Sequence, residues 1–223
     1  MRENDFSGSL IVVEGADGSG TTTQAEKLSE ELDAFYTAEP AANKIGEKVD
    51  EMISEEGYSA EAIALAFSAD RMVHLEEEVI PRLKEGETVV VDRYYHSTFV
   101  YQPALGAEYE WVKNLNREAL RPDLTIILDV SKEVALSRIG KRESNISEDL
   151  KEGSDLSQSR IEQFSEEHDA NIFEDLSFQE EVTARYRQLP KWLDEEVVTV
   201  DGKPGIEEVF SNVRKEVKDN LGL

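Results

Sequence analysis

Five short apolar runs divide the chain and predict β-strands. Most are rich in Val, Ile and Leu, and several end at a charged residue. Runs that are apolar at consecutive positions are typical of strands buried on both faces of a parallel sheet. The predicted strands cover residues 10–13, 34–37, 88–92, 124–130 and 197–201.

Between these strands, apolar residues recur every three or four positions, which is the spacing of one helix face. Pro81 lies inside the third predicted helix and is expected to bend or divide it. Strands that alternate with helices predict a three-layer α/β/α fold around a five-stranded parallel sheet. The predicted helices cover residues 23–32, 45–53, 60–83, 108–120, 132 to about 142, 173–192, and a last helix from 206.

A glycine-rich turn joins the first strand to the first helix. It consists of Gly15-Ala16-Asp17-Gly18-Ser19-Gly20-Thr21-Thr22. A strand, a glycine-rich turn and a helix start form the context of a phosphate-binding loop. Glycines allow backbone N–H groups to converge on phosphate oxygens, and the helix N-terminus adds partial positive charge. We therefore predict that this turn binds phosphates, with the Thr22 hydroxyl placed to meet Mg2+.

One position of the turn departs from the usual pattern, G-x-x-x-x-G-K-[ST]. Thr21 stands where that pattern has a lysine. The lysine supplies a full positive charge beside the β- and γ-phosphates, so its loss keeps the cradle but removes that charge. A turn without a ligand is the alternative; the flanking strand and helix and the Thr21-Thr22 pair favour phosphate binding.

One face of the predicted helix 60–83 carries a possible recognition stripe. Phe67, Asp70, Arg71 and His74 are spaced at i, i+3, i+4 and i+7 and therefore share that face. An aromatic ring and a guanidinium on one stripe are suited to stacking on, and hydrogen bonding to, a planar ligand. From spacing alone, a core phenylalanine beside a surface Asp–Arg pair is the preferred interpretation.

The predicted strand 88–92 ends in Asp92 and Arg93. Charged residues at the carboxyl end of a central strand lie where open α/β sheets bind ligands. Asp92 is suited to holding Mg2+, directly or through water, and Arg93 to clamping a phosphoryl group. An Asp–Arg ion pair that closes a loop is the alternative, but the phosphate loop is expected at the same crevice, which favours function.

A basic face is predicted near the end of the helix that begins at residue 132. Arg138, Lys141 and Arg142 fall at i, i+3 and i+4. A favourable interaction with the helix dipole is one explanation. The other is that these cations cover the phosphates and replace the missing lysine of the loop.

The composition narrows the class of protein. The chain has no cysteine and three histidines, which excludes disulfides and disfavours a thiolate or histidine-rich metal site. Its net charge of −25 argues against a nucleic-acid partner, which needs a basic surface. No apolar run approaches the length of a membrane span, and the first residues do not resemble a signal peptide. We expect a cytoplasmic enzyme without a membrane partner.

The high acidity has two further interpretations. Disorder is disfavoured because 39% of the residues are hydrophobic and fall in periodic segments. The other hypothesis is a halophilic surface whose self-repulsion is screened by high salt. The acidic excess is densest in residues 143–181, which are also rich in Ser. We expect one domain over 1–223 with a flexible acidic lid or insertion at about 142–172.

Four motifs stand in order along the chain. They are Val13-Glu14-Gly15-Ala16-Asp17-Gly18-Ser19-Gly20, Phe67-Ser68-Ala69-Asp70-Arg71, Asp92-Arg93-Tyr94-Tyr95-His96-Ser97 followed by Tyr101-Gln102, and Arg121-Pro122-Asp123-Leu124 with the strand after it. Together they resemble thymidylate kinases, and the resemblance covers nearly the whole chain except the acidic insertion. The fold implied is that of P-loop NTPases of the nucleoside monophosphate kinase type.

The resemblance implies a binding site for the acceptor nucleotide. Phe67 is similar to the ring that stacks on thymine and Arg71 to the base-binding arginine, which reverses the preference drawn from spacing. Tyr101 is similar to the aromatic residue that crowds the sugar 2′ position and favours deoxyribose. Ser97 and Thr98 would line the base pocket, and Glu39 with Pro40 matches part of the family's Arg-Glu-Pro-Gly-Gly-Thr loop.

The resemblance also implies how the phosphates are handled. On the evidence of the basic face alone, Arg138 and Lys141 are expected to join the loop in holding ATP. Asp17 is similar to the loop carboxylate near the sugar 3′-hydroxyl, Arg93 to the arginine that grips the transferring phosphates, and Asp92 to the residue near Mg2+. Arg142 is the first choice for the cation that replaces the loop lysine.

The expected activity is transfer of the γ-phosphoryl group of MgATP to dTMP, giving dTDP and ADP, by a homodimer. Several residues depart from the family pattern: Thr21 in the loop, Ala38 before Glu39, Ala41-Ala42 after Pro40, and Val73. These departures keep two alternatives open. One is a kinase for another pyrimidine nucleotide or a deoxynucleoside, for which Glu14 or Asp92 would act as a base. The other is a nucleotide-binding protein without turnover.

Overall fold

The computed structural model describes residues 1–55, 57–139 and 176–223. Within them, five parallel strands form one sheet with the order β2-β3-β1-β4-β5. The predicted fold class is therefore confirmed, with strand ends within two residues of those expected. The strands are β1 (Leu10–Gly15), β2 (Phe35–Ala38), β3 (Val89–Asp92), β4 (Leu124–Asp129) and β5 (Val197–Asp201).

Both faces of the sheet are covered, as the continuous apolar runs predict. Along β1, Leu10 and Val12 belong to one buried cluster, whereas Ile11 and Val13 belong to the other. This alternation follows from the two-residue period of a strand. Burial on both sides explains why β1 has no polar position before Glu14.

Two helices cover one face of the sheet, α1 (Thr21–Leu32) and the last helix, α10 (Ile206–Leu221). The other face is covered by helices between β2 and β4 and by the two helices between residue 175 and β5. These and the remaining helices are α2 (Lys44–Ser54), α3 (Ala60–His74), α4 (Ile80–Glu85), α5 (Tyr95–Ala104), α6 (Tyr109–Leu115), α7 (residues 132–139, as far as the description extends), α8 (Leu176–Tyr186) and α9 (Leu189–Trp192).

Pro81 divides the long predicted helix, as expected. A single π-helical stretch, Leu75–Val79, lies between α3 and α4, and Pro81 falls in the first turn of α4. Proline has no N–H for the helical ladder, and the first turn is where that loss costs least. The stripe with Phe67 and Arg71 therefore lies on α3 alone.

The structure departs from the predicted helices in three places. The predicted helix 173–192, as far as it is described, is divided into α8 and α9. The predicted helix 108–120 ends at Leu115, with Asn116 as its C-cap. Helix α5 was not predicted, because its sequence is rich in aromatic and β-branched residues and contains Pro103. The insertion at about 142–172, with Lys141 and Arg142, lies outside the described residues. Among the described helices, none is long and apolar enough to cross a membrane.

Candidate active site

A cavity of about 520 Å3 opens at the carboxyl ends of β1, β2 and β3. Parallel strands place the loops that follow them at one edge of the sheet, so distant motifs meet there. The cavity unites the phosphate loop, the Glu39-Pro40 turn, the stripe of α3 and the strand end at Asp92. Its lining residues are Asp17, Thr22, Glu39, Pro40, Asp50, Ile53, Phe67, Arg71, Asp92, Arg93, Tyr94, Ser97, Thr98, Tyr101 and Gln102.

The phosphate loop has the backbone that its glycines predict. Gly20 is the N-cap of α1 with φ 98°, a left-handed conformation that side chains rarely adopt, and open space surrounds the position of a Cβ. Gly18 has φ 77°, and a Cβ there would lie 2.4 Å from the carbonyl oxygen of Ala135. Among the described residues, no side chain caps α1. The amides of its first turn therefore lie where an anion is held.

Thr22 and Asp92 come together beside this loop. The Thr22 hydroxyl donates to Oδ2 of Asp92 at 2.5 Å, while Oδ1 of Asp92 is buried without a hydrogen-bond partner in the described structure. Hydroxyl and carboxylate oxygens are hard ligands of the kind that Mg2+ prefers. These two residues therefore fit the expected metal, although the described residues bring no group of three His, Asp or Glu side chains together.

Arg93 is held above the phosphate loop in a strained conformation. Its φ is 66°, which costs a non-glycine residue roughly 1–2 kcal/mol. Nη2 donates to Oδ1 of Asp17 at 2.5 Å, and Nη1 donates to Oγ of Ser97 at 3.3 Å. Arg93 thus pairs with the loop rather than with Asp92, contrary to the simple ion pair considered as the alternative.

Burial and the neighbouring charge of Asp17 shift the pKa values of Arg93 and Tyr101. Burial opposes the charge of Arg93, but the surrounding acidic groups, Asp17 first and then Tyr101, Tyr186 and Glu14, together more than offset it and raise the pKa of the guanidinium well above its usual range. Burial, followed by the charge of Asp17, also raises the pKa of Tyr101. The Tyr101 hydroxyl accepts a hydrogen bond from the Asp17 amide at 3.2 Å. Arg93 therefore stays cationic and Tyr101 neutral at physiological pH.

Arg71 is 1% exposed and almost fully bonded. Nε donates to Oε2 of Glu39 at 2.8 Å, and Nη2 donates to Oγ1 of Thr98 at 3.2 Å. Nη1 donates to Oδ1 of Asn116, a buried residue that the sequence did not indicate. The surface Asp–Arg pair suggested by spacing is therefore wrong: the partner of Arg71 is Glu39, from the loop after β2.

Asp70 of α3 holds the loop that follows Glu39 and Pro40. Its two oxygens accept from the Ala41 amide at 2.8 Å and from Nδ2 of Asn43 at 2.9 Å. Asn43 in turn caps α2. Burial raises the pKa of Asp70, while these two hydrogen bonds oppose the rise. Ala41, the first of the two alanines after Pro40, is thus held in place by a carboxylate of α3.

Arg138, predicted to contact the cofactor, lies at the outer side of the phosphate loop. Nη1 donates to the carbonyl oxygen of Ser19 at 3.1 Å and approaches that of Gly18 at 3.4 Å. Nη2 donates to the carbonyl oxygen of Gly202 at 2.9 Å and lies 3.5 Å from that of Lys203. The guanidinium joins the loop to the turn after β5, and its contact with a nucleotide stays a prediction.

Several lining residues were not selected from the sequence. Gln102 is 2% exposed, and its Oε1 has no hydrogen-bond partner in the described structure. It stands in the Tyr101-Gln102 motif, so a signal was present. Asp50 and Ile53 enter from α2. Their spacing fits any amphipathic helix, so nothing in the sequence pointed to the cavity.

Comparisons with known proteins agree with this geometry. A family model for thymidylate kinase matches residues 13–164. A protein named probable thymidylate kinase from Methanococcus vannielii is 43% identical over 141 residues, covering 63% of this chain and 70% of the relative. Proteins of the same name from Pyrococcus horikoshii (40% over 146 residues, covering 60% and 71%) and Staphylothermus marinus (41% over 143 residues, covering 62% and 70%) are similar too. Since the matched region contains the phosphate loop, the α3 stripe and the Asp92-Arg93 strand end, the chain belongs to the thymidylate kinase family.

Proposed function

We propose that this chain transfers the γ-phosphoryl group of MgATP to dTMP, giving dTDP and ADP. One observation carries the proposal: a single cavity joins the phosphate loop, through Asp17 and Thr22, to the acceptor stripe, through Phe67 and Arg71. Phosphoryl transfer needs donor and acceptor side by side and in line, and a shared cavity supplies that proximity.

The acceptor would lie between α3 and α5. Phe67 offers a ring for stacking, and Arg71, Thr98 and Gln102 offer polar groups to the edge of a pyrimidine. Tyr101 lies at the Asp17 amide, between the base region and the loop. That position suits a residue that excludes a 2′-hydroxyl, so a deoxynucleotide is expected.

Catalysis would depend on positioning and charge neutralisation, because the phosphate acceptor is already anionic and needs no strong base. Arg93 is fixed by Asp17 and Ser97 beside the first turn of α1. When bound, Mg2+ supplies neutralisation of the phosphate charge, and Thr22 and Asp92 would hold it together with phosphate oxygens.

Because Thr21 stands where a phosphate loop usually has a lysine, another cation must supply the positive charge beside the phosphates. Among the described pocket residues, the arginines are Arg71, which Glu39 engages, and Arg93, which Asp17 engages. We propose that Arg142, with Lys141 and Arg138, supplies the remaining charge over the phosphates. Arg142→Ala is expected to lower kcat by on the order of a thousandfold; unchanged turnover would remove Arg142 from the mechanism.

The arrangement gives no support to a nucleoside kinase. Such an enzyme needs a carboxylate base at the 5′-hydroxyl. Glu14 is 0% exposed, and its two oxygens together accept four hydrogen bonds. Asp92 accepts from Thr22 through Oδ2, and its other oxygen, Oδ1, is assigned to Mg2+ in this proposal.

The proposal is tested by measuring ADP release with MgATP and a panel of nucleotides and nucleosides, in dilute and in molar KCl. Turnover should be strongest with dTMP. Turnover with another acceptor would keep the chemistry and replace the substrate, whereas nucleotide binding without turnover at any salt would refute the kinase.

Further parts of the proposal concern the whole molecule. We propose a cytoplasmic homodimer of single-domain subunits, each with the acidic lid at about 142–172. Sedimentation velocity would measure the mass of the particle in solution and so test the dimer. We also propose that the net charge of −25 makes the protein halophilic. A steady fall in unfolding temperature from dilute to molar KCl would contradict this.

A further inference from the structure

Glu14 is the penultimate residue of β1, directly before the phosphate loop, and is 0% exposed. A buried carboxylate normally has a cation or several donors as partners. Here Oε1 accepts from the amides of Tyr94 at 2.7 Å and Ser97 at 3.1 Å. Oε2 accepts from the hydroxyls of Ser97 at 2.8 Å and Tyr186 at 2.9 Å. Every one of these partners adjoins Arg93 or the helix that follows it.

We infer that Glu14 and Tyr186 are positioning residues that fix Arg93 for phosphoryl transfer. The inference rests on the proposed kinase function and assigns a role to two residues outside the substrate contacts.

The backbone of Arg93 is held on both sides of its Cα. Its left-handed conformation is unfavourable and persists only where the surroundings impose it. The Arg93 amide donates to the Val13 carbonyl oxygen at 3.0 Å, and the next amide, that of Tyr94, donates to Glu14. Both peptide groups that flank the Arg93 Cα are therefore held by consecutive residues of β1.

The guanidinium of Arg93 is also linked to Glu14, through the hydroxyl of Ser97. Nη1 of Arg93 donates to the Ser97 hydroxyl, which itself donates to Glu14. A change at Glu14 therefore reaches Arg93 both through its main chain and through its side chain. Asp17 fixes only the other end of the guanidinium, at Nη2.

Tyr186 ties this cluster to α8, the first described helix after the acidic insertion. Its hydroxyl lies 3.0 Å from the Ser97 hydroxyl as well as bonding to Glu14. Burial, then the charge of Glu14, raises the pKa of Tyr186 well above its usual range, so the phenol remains a donor. Its ring also meets that of Tyr101 edge-on at 6.3 Å. The position of α8 is thereby linked to Arg93.

A double-mutant cycle separates positioning from a merely structural role. Glu14→Gln keeps the size of the side chain but turns one acceptor into a donor, and Tyr186→Phe removes only a hydroxyl. Since a misplacement of about 1 Å costs on the order of a hundredfold, each should lower kcat by about ten- to a hundredfold with little change in KM. In an Arg93→Ala background the same changes should cost less than about twofold, because their target is gone.

Tyr109→Phe is the matched control, because the Tyr109 hydroxyl is also buried but has no hydrogen-bond partner in the described structure. It should leave kcat unchanged. Equal losses with and without Arg93 would overturn the inference, as would an unchanged kcat accompanied by a lower unfolding temperature.

A readout without turnover keeps the inference distinct from the proposed function. The 1H–15N NOE of Arg93 Nε reports how rigidly the side chain is held, and it should fall in Glu14→Gln and Tyr186→Phe. A value that stays at that of the unmodified protein overturns the positioning role. Absence of dTMP turnover with a changed NOE would refute the proposed substrate alone.

Discussion

The buried pair of Arg71 and Glu39 offers a quantitative test, because the chain contains a surface pair of the same length. Nη2 of Arg71 lies 2.7 Å from Oε2 of Glu39, and the two side chains are 1% and 2% exposed. Nζ of Lys48 also lies 2.7 Å from Oε2 of Glu51, but these side chains are 52% and 58% exposed. Glu39→Gln and Glu51→Gln therefore remove the same charge from pairs that differ in burial.

The expected losses differ because of what each change leaves behind. After Glu51→Gln, water solvates the Lys48 ammonium, so the free energy of unfolding should hardly change. After Glu39→Gln, the Arg71 guanidinium remains buried without its counter-charge, which costs about 3–5 kcal/mol. The second loss is a large part of the roughly 5–15 kcal/mol that stabilises a typical domain.

Urea unfolding followed by circular dichroism measures both losses, at a KCl concentration where the unmodified protein unfolds reversibly. An unchanged m-value would show that the unfolded states are comparable. Added salt should reduce the Glu51 effect and leave the Glu39 effect nearly intact, since buried pairs are little screened. If Glu39→Gln costs no more than Glu51→Gln, the reasoning from burial is refuted.

Three further predictions concern the site and the core. Arg93→Ala should lower kcat by on the order of a thousandfold in steady-state assays of ADP release, and a loss under tenfold would argue against contact with the transferring phosphate. Asp92→Asn should raise the Mg2+ concentration needed for half-maximal activity, as measured by titration, whereas an unchanged titration would place the metal elsewhere. Burial alone would raise the pKa of Glu195, but the charge and hydrogen bond of His96, together with contributions from Tyr95 and Arg121, more than offset this and hold the pKa below its usual value of 4.5. The resulting stabilisation is present above pH 4.5 and is lost as the pH falls through the lower, folded-state pKa. Glu195→Gln should therefore lower the free energy of unfolding near pH 7, and should lower it progressively less below pH 4.5, as measured in unfolding experiments.

The sheet could be predicted from the sequence because its signals are local. Each strand is an apolar run, and several of these runs end at a charged residue. Helix α5 could not be predicted, because a distant residue supplies its N-terminal cap. Glu14 of β1 accepts the amides of Tyr94 and Ser97, and no side chain within α5 does so. A cap contributed by another element leaves no trace in the local pattern.

The candidate site was foreseen in part for the same reason. The glycine turn and the strand end at Asp92 follow from residue order, since parallel strands end at one edge. The partners of Arg71 did not follow: its spacing suggested pairing with Asp70, one residue away, whereas Glu39 and Asn116 come from separate loops. Spacing indicates which residues share a face, but it does not tell which distant residue approaches that face.

The hydrogen bonds of Arg138 require the arginine side chain but no particular side chain on the residues that it contacts. The guanidinium binds main-chain carbonyl oxygens of Ser19, Gly202 and Lys203, and every amino acid carries that oxygen. Side chains such as that of Lys203 can therefore vary without weakening this connection. Gly202 is restricted for another reason, since a Cβ there would lie 2.8 Å from Cγ1 of Val130. Among relatives, we expect the side chains of the turn after β5 to vary at positions such as that of Lys203, whereas the arginine at the position of Arg138 should be retained.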